Sequence, residues 1–217
     1  MTAAEQTPSS RKRAPQQRSE QTRAEILRAA TELFTSLGFE GVSLRTIEAH
    51  AGVQRGAIAY HFKSKDELWR RAIDRVFERF SAHLDPLEAT LRDLDPVARL
   101  RTVIVAFVRF SAEMPELSRL MVQEGKRSSW RLDYIVDAHM RPRIDWLNEI
   151  LGETLDPHTY YIVIGASAMV FSVEFECRRA FGIDPTTDEF IRLHAARIAD
   201  MILLARKQAP AEGDRNE

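Results

Sequence analysis

Residues Ser43–Leu68 read SLRTIEAHAGVQRGAIAYHFKSKDEL. Ser43 carries a hydroxyl that can accept from an unpaired backbone N–H at a helix start, and Gly52 tolerates the positive φ of a tight turn. A short helix is therefore predicted between them, followed by another over about Gln54 to Phe62. Ser64 with Glu67 forms a capping box that opens the next helix. Ile47 and Ala51 before the turn, Val53 in it, and Ile58 and Phe62 after it supply the apolar contacts that lock two helices at a steep angle. Gln54, Arg55, Ala57, Ala59, Tyr60 and His61 are then left facing outward.

Upstream, Ile26, Leu27, Ala30, Leu33, Phe34 and Leu37 recur at the spacing of one helix face. Thr22 with Glu25 offers its start, and Gly38 its stop. Downstream, Leu68, Trp69, Ala72, Ile73, Val76, Phe77 and Phe80 form the inner face of a helix ending at Asp85–Pro86. Further helices are predicted from Pro96 to Glu113, Pro115 to Glu124, Ser129 to Leu151 with a kink at Pro142, His158 to Phe181, and Thr187 to Arg206. Thr186 with Glu189 reads as the last cap, after a loop over Phe181–Asp188. No alternating strand pattern is found. The expected fold is all-α, with a disordered basic tail over 1–18, a three-helix helix-turn-helix domain over 19–66, a larger helical domain over 67–207 and a flexible tail over 208–217.

The chain has 217 residues, with 31 Lys+Arg against 32 Asp+Glu, a soluble globular balance that by itself signals no polyanion. Its distribution says more. Residues 1–75 hold 13 Lys+Arg and 9 Asp+Glu, leaving 18 and 23 for residues 76–217, so a basic head precedes an acidic body. The single Cys177 excludes an intramolecular disulfide and a cysteine-rich zinc site. The N-terminus lacks the apolar core of a signal peptide and carries Arg11–Lys12–Arg13 and Arg18 instead. The uncharged run Tyr160–Val173 is fourteen residues, short of the roughly 20 a membrane span needs. A cytoplasmic protein without a membrane association is expected.

The residues Ser43–Leu68 resemble the DNA-binding segment of the TetR (tetracycline-repressor) family: a hydroxyl cap, an Ile, Ala-Gly-Val, a Gly, Tyr-His-Phe and Ser-Lys-x-x-Leu. The close resemblance covers roughly residues 20–75, and Pro115–Gly125 looks like a stretch of some members. Three positions depart: Gln54 stands where Ser or Thr is frequent, Ala59 where an aromatic is frequent, and Glu48 where a small residue is usual. The resemblance implies a homodimeric transcriptional regulator whose N-terminal domain binds a double-stranded DNA operator and whose helical body dimerises and binds a ligand. Gln54, Arg55 and Ala57 are the candidates for base edges, Gln pairing with adenine, Arg with guanine and the Ala methyl with thymine. Tyr60, His61 and Lys65 look like the phosphate-positioning set. Ser43, Arg45 and Thr46 sit at a helix N-terminus, which favours an anionic phosphate. The basic tail is a further candidate for the backbone or minor groove.

For the dimer, Tyr161, Gly165, Ala168, Ser172 and Phe175 form a stripe whose small central residues permit close approach, with Phe190, Leu193, Arg197 and Met201 beside it on the last helix. Two such helices per subunit make the four-helix bundle the family implies. For a small, largely apolar effector, Phe107, Phe110, Met114, Met121, Trp130, Tyr134, Trp146 and Phe171 are the bulky candidates. Glu174, Glu176, Arg178 and His139 are candidates for its polar specificity. The expected function is repression from a palindromic operator, relieved by that effector. The alternative is an activator or architectural protein of the same fold without one. A protein-binding helical module is a further reading, distinguished by the salt dependence of DNA binding. No catalytic motif, paired metal-ligand spacing or cofactor motif is found.

Overall fold

The computed structural model describes residues 10–208. Residues 1–9 of the expected basic tail and 209–217 of the expected flexible tail lie outside the described residues. Two compact units divide the chain, one through Val76 and one from Phe77 onward. No strand occurs among the described residues.

The first unit begins with α1 (Ser10–Gly41), broken at Gly38, where φ is 74°. The helix starts well before Thr22, so the expected cap at Thr22 lies inside it, and residues 10–18 are helical rather than disordered. Hydrogen bonds from Gln16 to Glu20 and from Gln21 to Glu25, one turn apart, support this extension. Ile26, Ala29, Ala30 and Phe34 are buried on its inner face, whereas Leu37 is 55% exposed beside the break and leaves the expected stripe. α2 (Leu44–Ala51) and α3 (Ala57–His61) follow, and α4 (Lys65–Leu84) closes the unit with Leu68, Trp69, Ala72, Ile73 and Val76. The Thr31 hydroxyl donates to the Ala72 carbonyl, and the Phe39 ring meets Trp69 edge-on at 6.5 Å. The unit thus includes the first turns of α4, and its boundary lies after 76 rather than after 66.

The second unit opens with the end of α4, a 3-10 turn (Asp85–Leu87) and a short unexpected helix, α5 (Glu88–Asp93). α6 (Pro96–Glu113) and α7 (Pro115–Glu124) keep their expected bounds. Asp95 caps α6 by accepting from the Val97 and Ala98 N–H groups, and Pro96 loses no bond at the first position. Four main-chain carbonyls, of Leu91, Arg92, Leu94 and Ile150, accept from the Arg99 guanidinium. Ser129 caps α8 (Trp130–Ile135), a five-residue π-helical turn (Val136–Met140) follows, and α9 (Arg141–Leu151) has Pro142 in its first turn. Just before Pro142 the Arg141 N–H reaches back to Val136, so a widened turn precedes the proline.

The single helix expected from His158 to Phe181 is two, α10 (Pro157–Ser172) and α11 (Glu174–Phe181), bent by 73° at Val173. α12 (Asp188–Gln208) ends the described chain. Its cap is Thr187, whose hydroxyl accepts from the Phe190 N–H, while Thr186 bonds to Asp184. Leu100, Ile104 and Val108 of α6, Phe171 of α10 and Ala195, Ile198, Ala199 and Ile202 of α12 make the core. No single described helix is long and apolar enough to cross a membrane, although α10 and α11 together pass by length and composition.

Candidate nucleic-acid interface

Short-range capping builds this surface. The Ser43 hydroxyl accepts from the Thr46 N–H at 3.0 Å and starts α2. Gly52, at φ 67°, stops it. Ile47, Ala51, Ile58 and Phe62 are buried between the elements, as the apolar spacing requires. The third helix is shorter than expected. Gln54 and Arg55 lie in the turn before it, where the Ala57 N–H donates to the Gln54 carbonyl at 3.1 Å and Gly56 takes φ 87°. A residue with a Cβ would be strained at Gly56.

Arg45, Thr46, Gln54, Arg55 and Ala59 are exposed, Ala57 and His61 half-buried, and Tyr60 is 81% exposed. The Tyr60 and His61 rings meet edge-on at 4.9 Å. Tyr60 thus stands in water with only the His61 ring against it, on the same surface as the exposed Gln54 and Arg55. Ser43 is exposed too, but its oxygen is already engaged in capping. Lys65 is half-buried, with its ammonium 2.6 Å from the Phe39 carbonyl and 4.1 Å from the centre of that ring. It holds the end of α1, a role its sequence position did not reveal.

Glu48, which the sequence marks only as a departure from the family pattern, has a structural role here. It is buried on α2, and its Oε1 accepts from the Gly56 N–H at 2.8 Å and the Ile58 N–H at 3.2 Å. On the flank, His50 bonds to Glu32 at 2.9 Å. That bond first, and Arg28 next to it, hold the Glu32 carboxyl below its ordinary value.

In the second unit the ligand candidates divide. Phe107 and Phe110 pack on Phe80, at 6.1 and 4.6 Å between ring centres. Tyr134 meets His139, which stacks on Phe77 at 4.3 Å. The Trp146 indole N–H donates to Glu88, and the Arg143 guanidinium lies over its ring. Met121 and Trp130 are half-buried and Met114 fully buried. Phe171 lies in the core, its ring edge-on to those of Phe190 and His194. A cleft of about 690 Å³ in this unit is lined instead by Arg109, Ala112, Glu113, Thr186, Asp188, Glu189, Ile191 and Arg192. Glu174 and Arg178 pair with each other, and Arg178 also binds Asp184, so the loop between α11 and α12 uses both.

The expected dimer stripe divides between buried and exposed residues. Ala168, 3% exposed, is inside the unit, Ser172 is half-buried, and Phe190 packs against the core. Phe175 is exposed but stands on α11, beyond the bend. Tyr161, Gly165, Leu193, Arg197 and Met201 are exposed, joined by Ile162 and Met169 on α10 and Leu204 on α12, outside the expected stripe.

The family model "Bacterial regulatory proteins, tetR family" matches residues 26–72. The transcriptional regulator RutR of Escherichia coli (strain K12) is 31% identical over 155 residues, covering 68% of this chain and 72% of that protein. Among solved structures, the fatty acid degradation regulator FadR from Bacillus halodurans superposes with a TM-score of 0.60 at 16% identity, covering 90% of this chain and 97% of that one. FadR from Bacillus subtilis, solved in complex with stearoyl-CoA, gives 0.57 at 17% identity, covering 82% and 96%. At such identities the structural likeness shows the fold alone, and the relationship rests on the sequence matches. The chain, with its helix-turn-helix unit followed by a larger helical unit, belongs to the tetR family of bacterial regulatory proteins.

Proposed function

We propose that the protein is a homodimeric repressor that reads a palindromic DNA operator through α3 and the turn before it, and leaves that operator when a small, largely apolar effector binds the second unit. The observation that carries this reading is the exposed Tyr60, beside Gln54 and Arg55, on a helix anchored from behind by Ile58 and Phe62. Gln54, Arg55 and Ala57 are assigned to base edges. Arg45 and Thr46 at the start of α2, with Tyr60 and His61, are assigned to phosphates. Lys65 acts at least from beneath, through the Phe39 carbonyl.

The partner face is the exposed apolar strip of Tyr161, Ile162 and Met169 on α10 with Leu193, Met201 and Leu204 on α12. Large side chains left in water along two neighbouring helices favour burial against a second copy, and two readers then span two half-sites. The effector seat is assigned to the aromatic group beside the π-helical turn, where His139 stacks on Phe77 and meets Tyr134. Single π turns in helices accompany functional sites frequently. Linkage requires that an effector weakening the operator complex be weakened equally by the operator.

Selection of bound sequences from a random DNA pool tests the reading. A two-fold symmetric site bound by a dimer, with affinity falling steeply with salt, is the expected result. An enriched pool with no common sequence would overturn it.

A further inference from the structure

Glu48 is 8% exposed, an unusual place for a carboxylate that forms no part of the apolar face of α2. Its two ends organise the turn. The main-chain carbonyl accepts from the Val53 N–H at 3.1 Å, and Oε1 accepts from the Gly56 and Ile58 N–H groups at 2.8 and 3.2 Å. α3 has five residues, far too few to persist as a helix unaided, and its own cap residue, Gly56, has no side chain to close it.

We infer that Glu48 is a positioning residue for DNA recognition: reaching across from α2, its carboxylate caps α3 and fixes the turn Gly52–Gly56, so that Gln54, Arg55 and Tyr60 are held in one arrangement before DNA arrives. The inference rests on the reading of α3 as the groove-facing helix. Its chemistry is that of a helix cap supplied by another helix, strengthened by the negative charge on the acceptor and by burial. The Gly56 and Ile58 donors are consumed within the protein, which leaves phosphate binding to the start of α2 and to side chains.

The consequence is selective. Base-edge hydrogen bonds need side chains placed to within a fraction of an ångström, whereas release of counterions from phosphates tolerates a looser surface. Loosening the turn therefore weakens the selected site more than random DNA.

The test compares Glu48→Gln, Glu48→Asp and Glu48→Ala in the full chain, against the selected operator and against random-sequence DNA. Amide exchange at Gly56 and Ile58 is measured without DNA. Glu48→Gln keeps an acceptor at the same reach and is expected to retain operator affinity within about threefold. Glu48→Asp keeps the charge but falls one methylene short, and Glu48→Ala lacks the acceptor; both are expected to lose about tenfold or more on the operator. Random DNA affinity should change by less than about threefold, with an unaltered salt slope. The two amides should exchange faster in the Asp and Ala variants only. Equal operator affinity in all four proteins, or equal losses on operator and random DNA, would overturn the inference. If Glu48→Ala fails to fold, the Gln and Asp pair decides. If the parent chain selects no DNA site, the reading of α3 fails, and unchanged exchange at Gly56 and Ile58 would then sink the role of Glu48 separately.

Discussion

The ammonium of Lys65 donates to the carbonyl of Phe39 at 2.6 Å while lying 4.1 Å from the centre of the same residue's ring. One side chain thus ties the start of α4 to the segment that follows the break in α1 at Gly38. Removing it in Lys65→Met should cost about 1–2 kcal/mol, from a charge-assisted hydrogen bond and a cation–π contact at a half-buried site. Urea unfolding measures this. If the same ammonium also reaches a phosphate, the salt slope of operator binding falls by about one in the variant; if it serves α1 alone, the slope stays put.

Arg45 and Arg55 are both exposed but stand at different places, one in the first turn of α2 and one in the turn before α3. Arg45→Ala should weaken selected and random DNA alike and lower the salt slope by about one. Arg55→Ala should cost about 1–3 kcal/mol on the selected site and relax the preference at one base pair. Fluorescence anisotropy across a salt series, with each base pair varied, separates the two.

Met169 and Leu204 are more than half exposed, whereas Ala168, one residue from Met169, is buried. Met169→Glu together with Leu204→Glu should yield a folded monomer, seen by sedimentation equilibrium and an unchanged far-ultraviolet dichroism spectrum. Operator affinity should then fall by about 100-fold or more as the two half-sites cease to be held together. Ala168→Glu places a charge in the interior and should unfold the second unit instead. A double variant that remains dimeric would remove α10 and α12 from the interface.

Tyr160 has its hydroxyl pushed up to about 12, chiefly by burial and then by Tyr161 beside it. Below pH 10 the phenol is neutral in both folded and unfolded chains and contributes no pH dependence. Above that the unfolded chain ionises first, so stability declines as pH rises from about 10 toward 12, by about 2 kcal/mol for this group. Tyr160→Phe should flatten that part of the stability profile in urea unfolding between pH 9 and 11.5. An unchanged decline would place the alkaline sensitivity elsewhere.

Much of the architecture was legible without coordinates. Pro96, Pro115, Ser129, and Ser64 with Glu67 mark helix starts through local geometry or bonds made within four residues of themselves, and the structure keeps them. The turn at Gly52 and the anchors Ile47, Ile58 and Phe62 lie within one short stretch of chain, and the structure stops α2 at Gly52 and buries all three.

What the amino-acid order determined alone is therefore the helical class, most helix starts and the exposure of Gln54, Arg55, Ala59 and Tyr60, whereas Ala57 and His61 are half-buried. Tertiary structure alone decided the rest. It put Ala168 inward and Met169 outward, bent the chain at Val173, and widened the turn before Pro142. It also turned Glu48, a surface-like residue by type, into the cap of another helix. A helix sequence specifies its faces, but which face meets protein and which meets water is set by neighbours distant in sequence, whose contacts outweigh the preference of any single residue.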